Sequence, residues 1–190
     1  MTGAAPEVAP RLLGAVLTHR SGEGTVAVAL TEVEAYAGEQ DPASHAWRGR
    51  TARNAVMFGP AGHLYVYLSY GLHWCANVVC GPDGEAAAVL LRAGRVVEGR
   101  ELAQSRRGPK ATERGLARGP ACLTQALGIG KRHGGAQVER GGSLTLEPGS
   151  PPADVSTGPR VGVSRAADVC LRFWVTGDAT VSTYTRSPRA

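Results

Sequence analysis

The chain has 190 residues, a hydrophobic fraction of 43% and a net charge of +5, which predicts one soluble domain spanning 1–190 and a cytoplasmic location. No apolar run approaches the roughly 20 residues that span a bilayer, and the first residues lack the charged and apolar regions of a signal peptide. A membrane protein is therefore excluded, whereas the basic charge is compatible with nucleic-acid binding, for which arginine is suited.

The N-terminal part of the chain predicts a short helix over 8–13, a strand near 15–18 and a hairpin turn at 21–24. Residues 25–36, TVAVALTEVEAY, then alternate in character. The larger residues at even positions are Val26, Val28, Leu30, Glu32, Glu34 and Tyr36. Because successive side chains of a strand point to opposite faces, we expect Glu34 and Tyr36 on the same face as the apolar half of this strand.

The middle of the chain predicts a long loop followed by three strands. Residues 38–62 are turn-rich, polar and basic, and a loop of this length in a compact domain is usually functional. The strands are expected at 63–70, 73–80 and 86–94, with a Gly-Pro-Asp-Gly turn at 81–84. They read as neighbouring antiparallel strands.

The C-terminal half predicts two helices and three short strands. The helices are expected at 96–106 and 120–127, and the strands near 143–146, 160–163 and 171–175. Together these elements predict an α+β fold: a single domain with a curved, mainly antiparallel β-sheet or partial barrel and peripheral helices.

Two carboxylates, Glu32 and Glu34, interrupt the apolar face of the strand at 25–36. A buried carboxylate costs several kcal/mol unless it is paired or hydrogen-bonded, so each of the two carboxylates must have a structural partner or a functional role. One interpretation is a structural ion pair with an arginine. The other is a general base beside Tyr36 and below the basic loop. Alternation alone does not choose between the two carboxylates.

Most of the aromatic side chains cluster near these carboxylates in the sequence. Tyr36, His45, Tyr65, Tyr67 and Tyr70 would serve as ordinary packing or as a pocket that stacks on a nucleobase. Asn77 and Arg92 are polar residues within apolar strands, as in a pocket wall with a few convergent donors.

Basic residues gather in two further segments. Arg48, Arg50 and Arg53 follow His45 closely, and arginines recur between 95 and 118. These segments are either solvated surface or phosphate contacts. The four cysteines form no CxxC pair and no Cys/His cluster with zinc spacing, so we expect reduced thiols, no metal and no cofactor.

Five blocks carry a family resemblance that covers nearly the whole chain in order. The blocks are TEVEAYAGEQDPASH (31–45), RNAVMFGPAGHLYVYLSYGLHWCANVV (53–79), AVLLRAGRVVEG (88–99), GPACLTQALGI (119–129) and PRVGVSRAADVCLRFWV (159–175). They resemble the signature blocks of the alkyladenine, or 3-methyladenine, DNA glycosylases. The resemblance implies release of damaged purines from duplex DNA, by a monomer, in base-excision repair.

The resemblance also implies residue roles. Glu34 matches the family's catalytic carboxylate, which activates water, and Tyr70 matches the wedge that enters the duplex. The matches to the base pocket are Tyr36, His45, Tyr67, Asn77 and Arg92; Asn77 would exclude the amino group of guanine. Independently of the resemblance, the clustering of Arg48, Arg50 and Arg53 makes them candidates for contacts with the DNA backbone.

The expected substrates are 3-methyladenine, 7-methylguanine, hypoxanthine and ethenoadenine, with their order left open. Lyase-type glycosylases use an amine to form a Schiff base. Lys110 and Lys131 lie outside the aromatic and carboxylate blocks, which favours hydrolysis without strand cleavage. A non-catalytic nucleic-acid-binding barrel is the alternative from another class, but it leaves Glu34 without a role.

Overall fold

A computed structural model describes residues 2–190 and contains an eight-stranded antiparallel sheet with three helices. The strands are β1 Val16–Ser21, β2 Gly24–Tyr36, β3 Leu64–Ser69, β4 His73–Val79, β5 Ala88–Glu98, β6 Leu144–Glu147, β7 Val155–Gly158 and β8 Arg172–Val175. The helices are α1 Ala5–Arg11, α2 Arg100–Arg107 and α3 Pro120–Leu127. The predicted α+β class with a curved antiparallel sheet is confirmed.

Strand β2 is the centre of the sheet. The strand order is β3-β4-β5-β2-β1-β6, with β8 also paired to β2 and β7 paired to β8. Strand β5 runs along one edge of β2, whereas β1 covers the first half of the other edge and β8 covers residues 32–34. The sheet therefore forks beside the end of β2 that carries Glu34.

A register shift within β2 reverses the faces of its two halves. The residues of β2 that pack into the main hydrophobic core are Val26, Val28, Leu30, Val33 and Ala35. The change from even to odd positions coincides with an irregularity in the β2–β5 pairing between Leu30 and Glu32. The prediction that Glu34 and Tyr36 share the face of the apolar half is therefore wrong, because a bulge shifts a strand's alternation by one residue.

The helices lie against the core face of the sheet, and the opposite face is left to the long loop of residues 37–63. A second, smaller apolar cluster joins that loop to the sheet and contains Ala46, Met57, Phe58, Tyr65, Val79 and Ala88. Short 3-10 helices at Gly38–Gln40 and Ala55–Phe58 give the loop structure of its own.

Three predicted elements differ from the structure, and the first is the helix predicted over 8–13, which lies at Ala5–Arg11. Strand β5 continues to Glu98, so the helix predicted at 96–106 begins only at Arg100. Gly99 ends the strand with a φ of 71°, and a Cβ there would lie 1.9 Å from the carbonyl oxygen of Thr25. Pairing of Val96 with Val28 outweighs the local helix preference.

The strand predicted at 160–163 is wrong: β7 lies earlier, at Val155–Gly158, and pairs with β8. The backbone N–H of Val161 instead donates to the carboxylate of Glu34 at 2.7 Å. The backbone at Val161 is therefore satisfied by a side chain rather than by pairing with a neighbouring strand.

Candidate active site

Four neighbouring strands bring Glu34 and Asn77, two of the predicted site residues, to one face. Glu34 pairs with Leu90, Leu90 with Asn77, and Asn77 with Tyr65. Cross-strand partners project to the same side, so this row runs from β2 to β3 on the face opposite the helices. Arg92 is skipped by the β2–β5 register between Ala93 and Leu91, at a second irregularity.

Glu32 is fully enclosed and holds a structural network. Its carboxylate accepts four hydrogen bonds: from Nε of Arg92 and Nε of Arg172, both at 2.7 Å, and from the backbone and hydroxyl of Ser182 at 2.6 and 2.9 Å. Burial raises the pKa of Glu32, but the charges of Arg92 and Arg172 and the Ser182 N–H outweigh it, so the net pKa is lowered.

Glu34 is as buried as Glu32, but its carboxylate accepts fewer hydrogen bonds. It accepts two hydrogen bonds, from the hydroxyl of Tyr36 at 2.9 Å and from the Val161 N–H at 2.7 Å. Nη1 of Arg92 lies 3.2 Å from its Oε1 as an ion pair. Three of the four donors to Glu32 converge on its Oε1 and one reaches Oε2, whereas Glu34 accepts one hydrogen bond on each oxygen. A carboxylate offers about four acceptor positions, so Glu34 keeps more free acceptor capacity than Glu32.

Aromatic rings cover the face beside Glu34. The rings of His45 and Tyr67 lie 4.6 Å apart at 77°, and those of Tyr65 and Tyr67 lie 5.5 Å apart and stacked. A cavity of about 40 Å³ among Tyr36, these rings, Met57 and Asn77 has room for roughly one water molecule. A purine would enter only if the rings separate.

Burial and neighbouring charges set the protonation of these rings. Burial, followed by the charge of Glu34, raises the pKa of Tyr36 well above its ordinary value, so its hydroxyl stays a donor. Burial and then the charge of Arg53 lower the pKa of His45. The imidazole of His45 is therefore neutral at pH 7, and its Nδ1 lies 3.0 Å from the Tyr65 hydroxyl.

Two buried polar side chains fix the long loop over the sheet. Arg160 is fully buried, reaches Asp41 with Nη2 at 2.9 Å and the Ala35 carbonyl with Nη1 at 3.0 Å, and lies 4.7 Å from the ring centre of Tyr36. The amide of Asn54 donates to the carbonyl oxygens of His45 and Gly49. These contacts hold His45 against Tyr67.

Tyr70 lies apart from this aromatic cluster. It occupies the three-residue turn between β3 and β4, is 89% exposed and has a φ of 50°. An exposed tyrosine in the left-handed region is unusual for a non-glycine residue. Leu72, in the same turn, is 75% exposed, so the tip of this hairpin presents apolar side chains to solvent.

Comparison with known proteins gives this site a context. The model of the methylpurine-DNA glycosylase family matches residues 1–179. The chain belongs to this family. Three similar relatives are each provisionally named a 3-methyladenine DNA glycosylase. They come from Streptomyces avermitilis (52% identical over 94% of this chain and 86% of the relative), Nocardia farcinica (54% over 97% and 89%) and Leifsonia xyli (54% over 96% and 89%).

As a methylpurine-DNA glycosylase the protein acts on DNA, in base-excision repair. Some of its arginines are paired with other residues of the chain, and others are free to contact DNA. Most of the arginines between 95 and 118 are held by the fold: Arg106 pairs with Glu23, Arg100 with Glu113, and Arg107 with a side-chain oxygen and a carbonyl oxygen. That segment is therefore mainly structural.

The arginines predicted for the DNA backbone are placed differently. Arg48, Arg50 and Arg53 are exposed, and none forms a salt bridge within residues 2–190. The guanidinium of Arg53 lies 5.9 Å from the ring centre of Tyr67, so it borders the aromatic cluster.

Other features of the glycosylase bear on metals and membranes. Across the described chain no group of three or more His, Cys, Asp or Glu side chains is placed to hold a metal ion. No helix in that part of the chain combines the length and apolar character needed to cross a bilayer.

Sequence reasoning missed several residues of the site. Arg160, Arg172, Ser182 and the Val161 N–H all reach the two carboxylates or the loop from more than 100 residues away in the chain. Arginines flanked by apolar residues at 160 and 172 were the available signal, since a charge in such a segment is buried only when it is paired.

The Asp41–Arg160 pair predicts a pH-dependent stability. Burial raises the pKa of Asp41, but the hydrogen bonds from Arg160 outweigh it, and the net pKa is lowered. The folded chain then binds fewer protons here than the unfolded chain, so the contribution to stability is present above the unfolded pKa and is lost as the pH falls through the folded pKa.

Asp41→Asn is therefore expected to lower the free energy of unfolding by about 1.5–3 kcal/mol at pH 7. The difference from the wild type should begin to shrink below about pH 4, where the Asp41 carboxyl of the unfolded chain takes up a proton, and should disappear below the lower folded pKa. Urea unfolding at a series of pH values measures it. A difference that stays constant from pH 7 to pH 3 would contradict the assigned pKa direction.

Proposed function

We propose that this glycosylase hydrolyses the N-glycosidic bond of damaged purines in duplex DNA, with the nucleotide flipped out of the helix and the water activated by Glu34. The observation that carries the proposal is the contrast between the two carboxylates. Glu32 has four protein donors and Glu34 has two. Glu34 therefore keeps more acceptor capacity for a water molecule than Glu32, and its Oε2 accepts from Tyr36 of the aromatic cluster.

The flipped base would stack among Tyr36, His45 and Tyr67. Unstacking a nucleotide costs a few kcal/mol, least for a damaged pair, and ring contacts in the pocket offset that cost. Because the free cavity is about 40 Å³, entry of the base requires His45 or Tyr67 to move away from the other ring.

The substrates proposed are 3-methyladenine, 7-methylguanine, hypoxanthine and ethenoadenine. The first two are cations, which stack well on electron-rich rings and are good leaving groups. The reaction then needs a positioned water and a negative charge near a sugar that becomes oxocarbenium-like. Glu34 would position the water and provide the negative charge. Arg92, which is held by Glu32, would orient the carboxylate of Glu34. Asn77 would exclude the amino group of guanine.

The proposed reaction is hydrolysis without strand cleavage, by one chain. A lyase needs an amine next to the sugar, and the lysines, Lys110 and Lys131, lie outside the aromatic cavity. Borohydride is therefore expected to trap no covalent complex with lesion DNA.

The experiment that tests this function is single-turnover excision from oligonucleotide duplexes that each carry one modified purine. Hot alkali breaks the strand at abasic sites, so a cleaved band reports base release. Cleavage of one or more lesion duplexes, with the undamaged duplex intact, is the expected result. Tight binding of lesion DNA without any alkali-sensitive site would contradict the proposed function.

Tyr70→Ala is expected to slow excision from duplex DNA roughly 10-fold, because the stack that fills the gap left by the base is worth about 1–3 kcal/mol. Stability should hardly change, since the side chain is 89% exposed. Single-turnover rates on duplex and single-stranded substrates measure the effect, which should be confined to the duplex. Tyr70→Phe should retain activity; an equal loss on single strands would argue against a wedge.

A further inference from the structure

A groove lies at the rim of the aromatic cluster, between the long loop and the segment that follows β7. It has a volume of about 420 Å³ and is lined by Pro42, Ala43, Ser44, His45, Trp47, Arg48, Gly162, Val163, Ser164 and Arg165. Its two walls also hold the active site: one carries His45, and the other follows Val161, whose N–H donates to Glu34. The groove therefore begins where the proposed base pocket ends.

Two arginines share one indole ring in this groove. The guanidinium carbon of Arg165 lies 4.4 Å from the ring centre of Trp47, and that of Arg48 lies 5.5 Å from it. Trp47 is 37% exposed, so the ring is a surface platform. Tryptophan is the best aromatic partner for a cation, and such stacking limits the rotamers of an arginine before any ligand arrives.

Neither arginine is neutralised. Within residues 2–190 neither Arg48 nor Arg165 forms a salt bridge, whereas the buried Arg160 and the exposed Arg186 both pair with aspartates. No carboxylate lines the groove. Two like charges on one platform repel each other, so an anion placed between them would be favoured.

We propose that this groove binds a backbone phosphate of the DNA strand next to the flipped nucleotide. The proposal rests on the proposed function, because entry of the base into the pocket carries the neighbouring phosphates to its rim. The planar fork of an arginine matches a phosphate group, and Trp47 holds the fork of Arg165 over the groove. Arg48 would contact the same phosphate or the next one.

The first test measures how DNA binding depends on salt. The probe is a duplex with a stable abasic-site analogue, bound by the wild type, Arg165→Ala and Trp47→Leu. The slope of log Kobs against log salt falls by about 0.9 for each lost phosphate contact. Arg165→Ala and Trp47→Leu are each expected to show that loss, and circular dichroism checks that both are folded.

Arg140→Ala is the matched control, because Arg140 is also exposed and forms no salt bridge within the described chain, but lies in the turn before β6. Its slope should equal that of the wild type. If Arg165→Ala also keeps the wild-type slope, the phosphate site is overturned.

The second test locates the phosphate. Neutral methylphosphonates are placed one at a time at the linkages flanking the abasic analogue, and each duplex is titrated with the wild type and Arg165→Ala. At the contacted linkage, the methylphosphonate should weaken DNA binding by the wild type but not by Arg165→Ala, so the two changes are non-additive. Additive effects at every flanking linkage would overturn the proposal.

These binding experiments need no chemistry, so they fail separately from the proposed function. Coupling between Arg165 and one linkage supports the phosphate site even if the wild type releases no base from any lesion duplex. Normal base release without such coupling removes the phosphate site and leaves the glycosylase mechanism intact.

Discussion

Glu34→Gln is expected to lower the single-turnover rate of base release by about 10²–10⁴-fold, the range for loss of a general base. The glutamine keeps the shape of the side chain. Its oxygen still accepts from the Val161 N–H and its amide faces the Tyr36 hydroxyl, which can turn to accept. Arg92 remains paired with Glu32. The fold and the affinity for lesion DNA should therefore survive.

The measurement is alkali-revealed strand cleavage with enzyme in excess, on the best substrate of the lesion panel, beside anisotropy with the same duplex. Glu98→Gln, at the exposed end of β5, is the matched control and should excise at the wild-type rate. Excision by Glu34→Gln within about threefold of the wild type would exclude Glu34 as the base.

Glu32→Gln is expected to lower the free energy of unfolding by about 3–5 kcal/mol, the cost of breaking a buried ion pair by removing one partner. Arg92 and Arg172 would lose their shared counter-charge, and the glutamine N–H₂ would meet a donor, the backbone N–H of Ser182. Its largest effect is thus on stability, in contrast to Glu34→Gln two residues away.

Urea unfolding at pH 7 measures this effect, with Glu34→Gln and Glu98→Gln as comparisons. Adding Arg172→Gln to Glu32→Gln should cost less than the sum of the single changes, because the second change removes an unpaired buried charge. A loss below about 1 kcal/mol for Glu32→Gln would show that the network does not hold the fork of the sheet together.

The local pattern predicted most of the fold because most elements carry their own signals. Helix α3 lies at the predicted residues, Pro120–Leu127, between Gly119 and Gly128, and the strands β2 to β5 lie close to their predicted positions. The prediction failed at Val96 and at residues 160–163, where pairing with a distant strand or contact with Glu34 outweighs local preference.

The site was predicted in part. The family blocks named Glu34, Tyr36, His45, Tyr67 and Asn77. The register of the sheet explains why one face holds Glu34, Tyr36, Tyr67 and Asn77, whereas His45 reaches that face from the long loop. The apolar neighbours of Arg160 and Arg172 indicate burial, but the partners of the two arginines could not be predicted, because each ion pair joins residues more than 100 positions apart. The Trp47 platform likewise needs two loops to meet.

By itself, the sequence determined that two carboxylates lie near the end of a central strand, beside tyrosines and below a basic loop, and it carried the family blocks. Only the tertiary structure decided how the two carboxylates differ. A bulge reverses the faces at that end of β2, so that Glu32 and Glu34 point away from the main core, and Arg92, Arg172 and Ser182 then give Glu32 four hydrogen bonds. The physical reason is that acceptor capacity depends on donors brought from distant segments, which only the folded chain assembles.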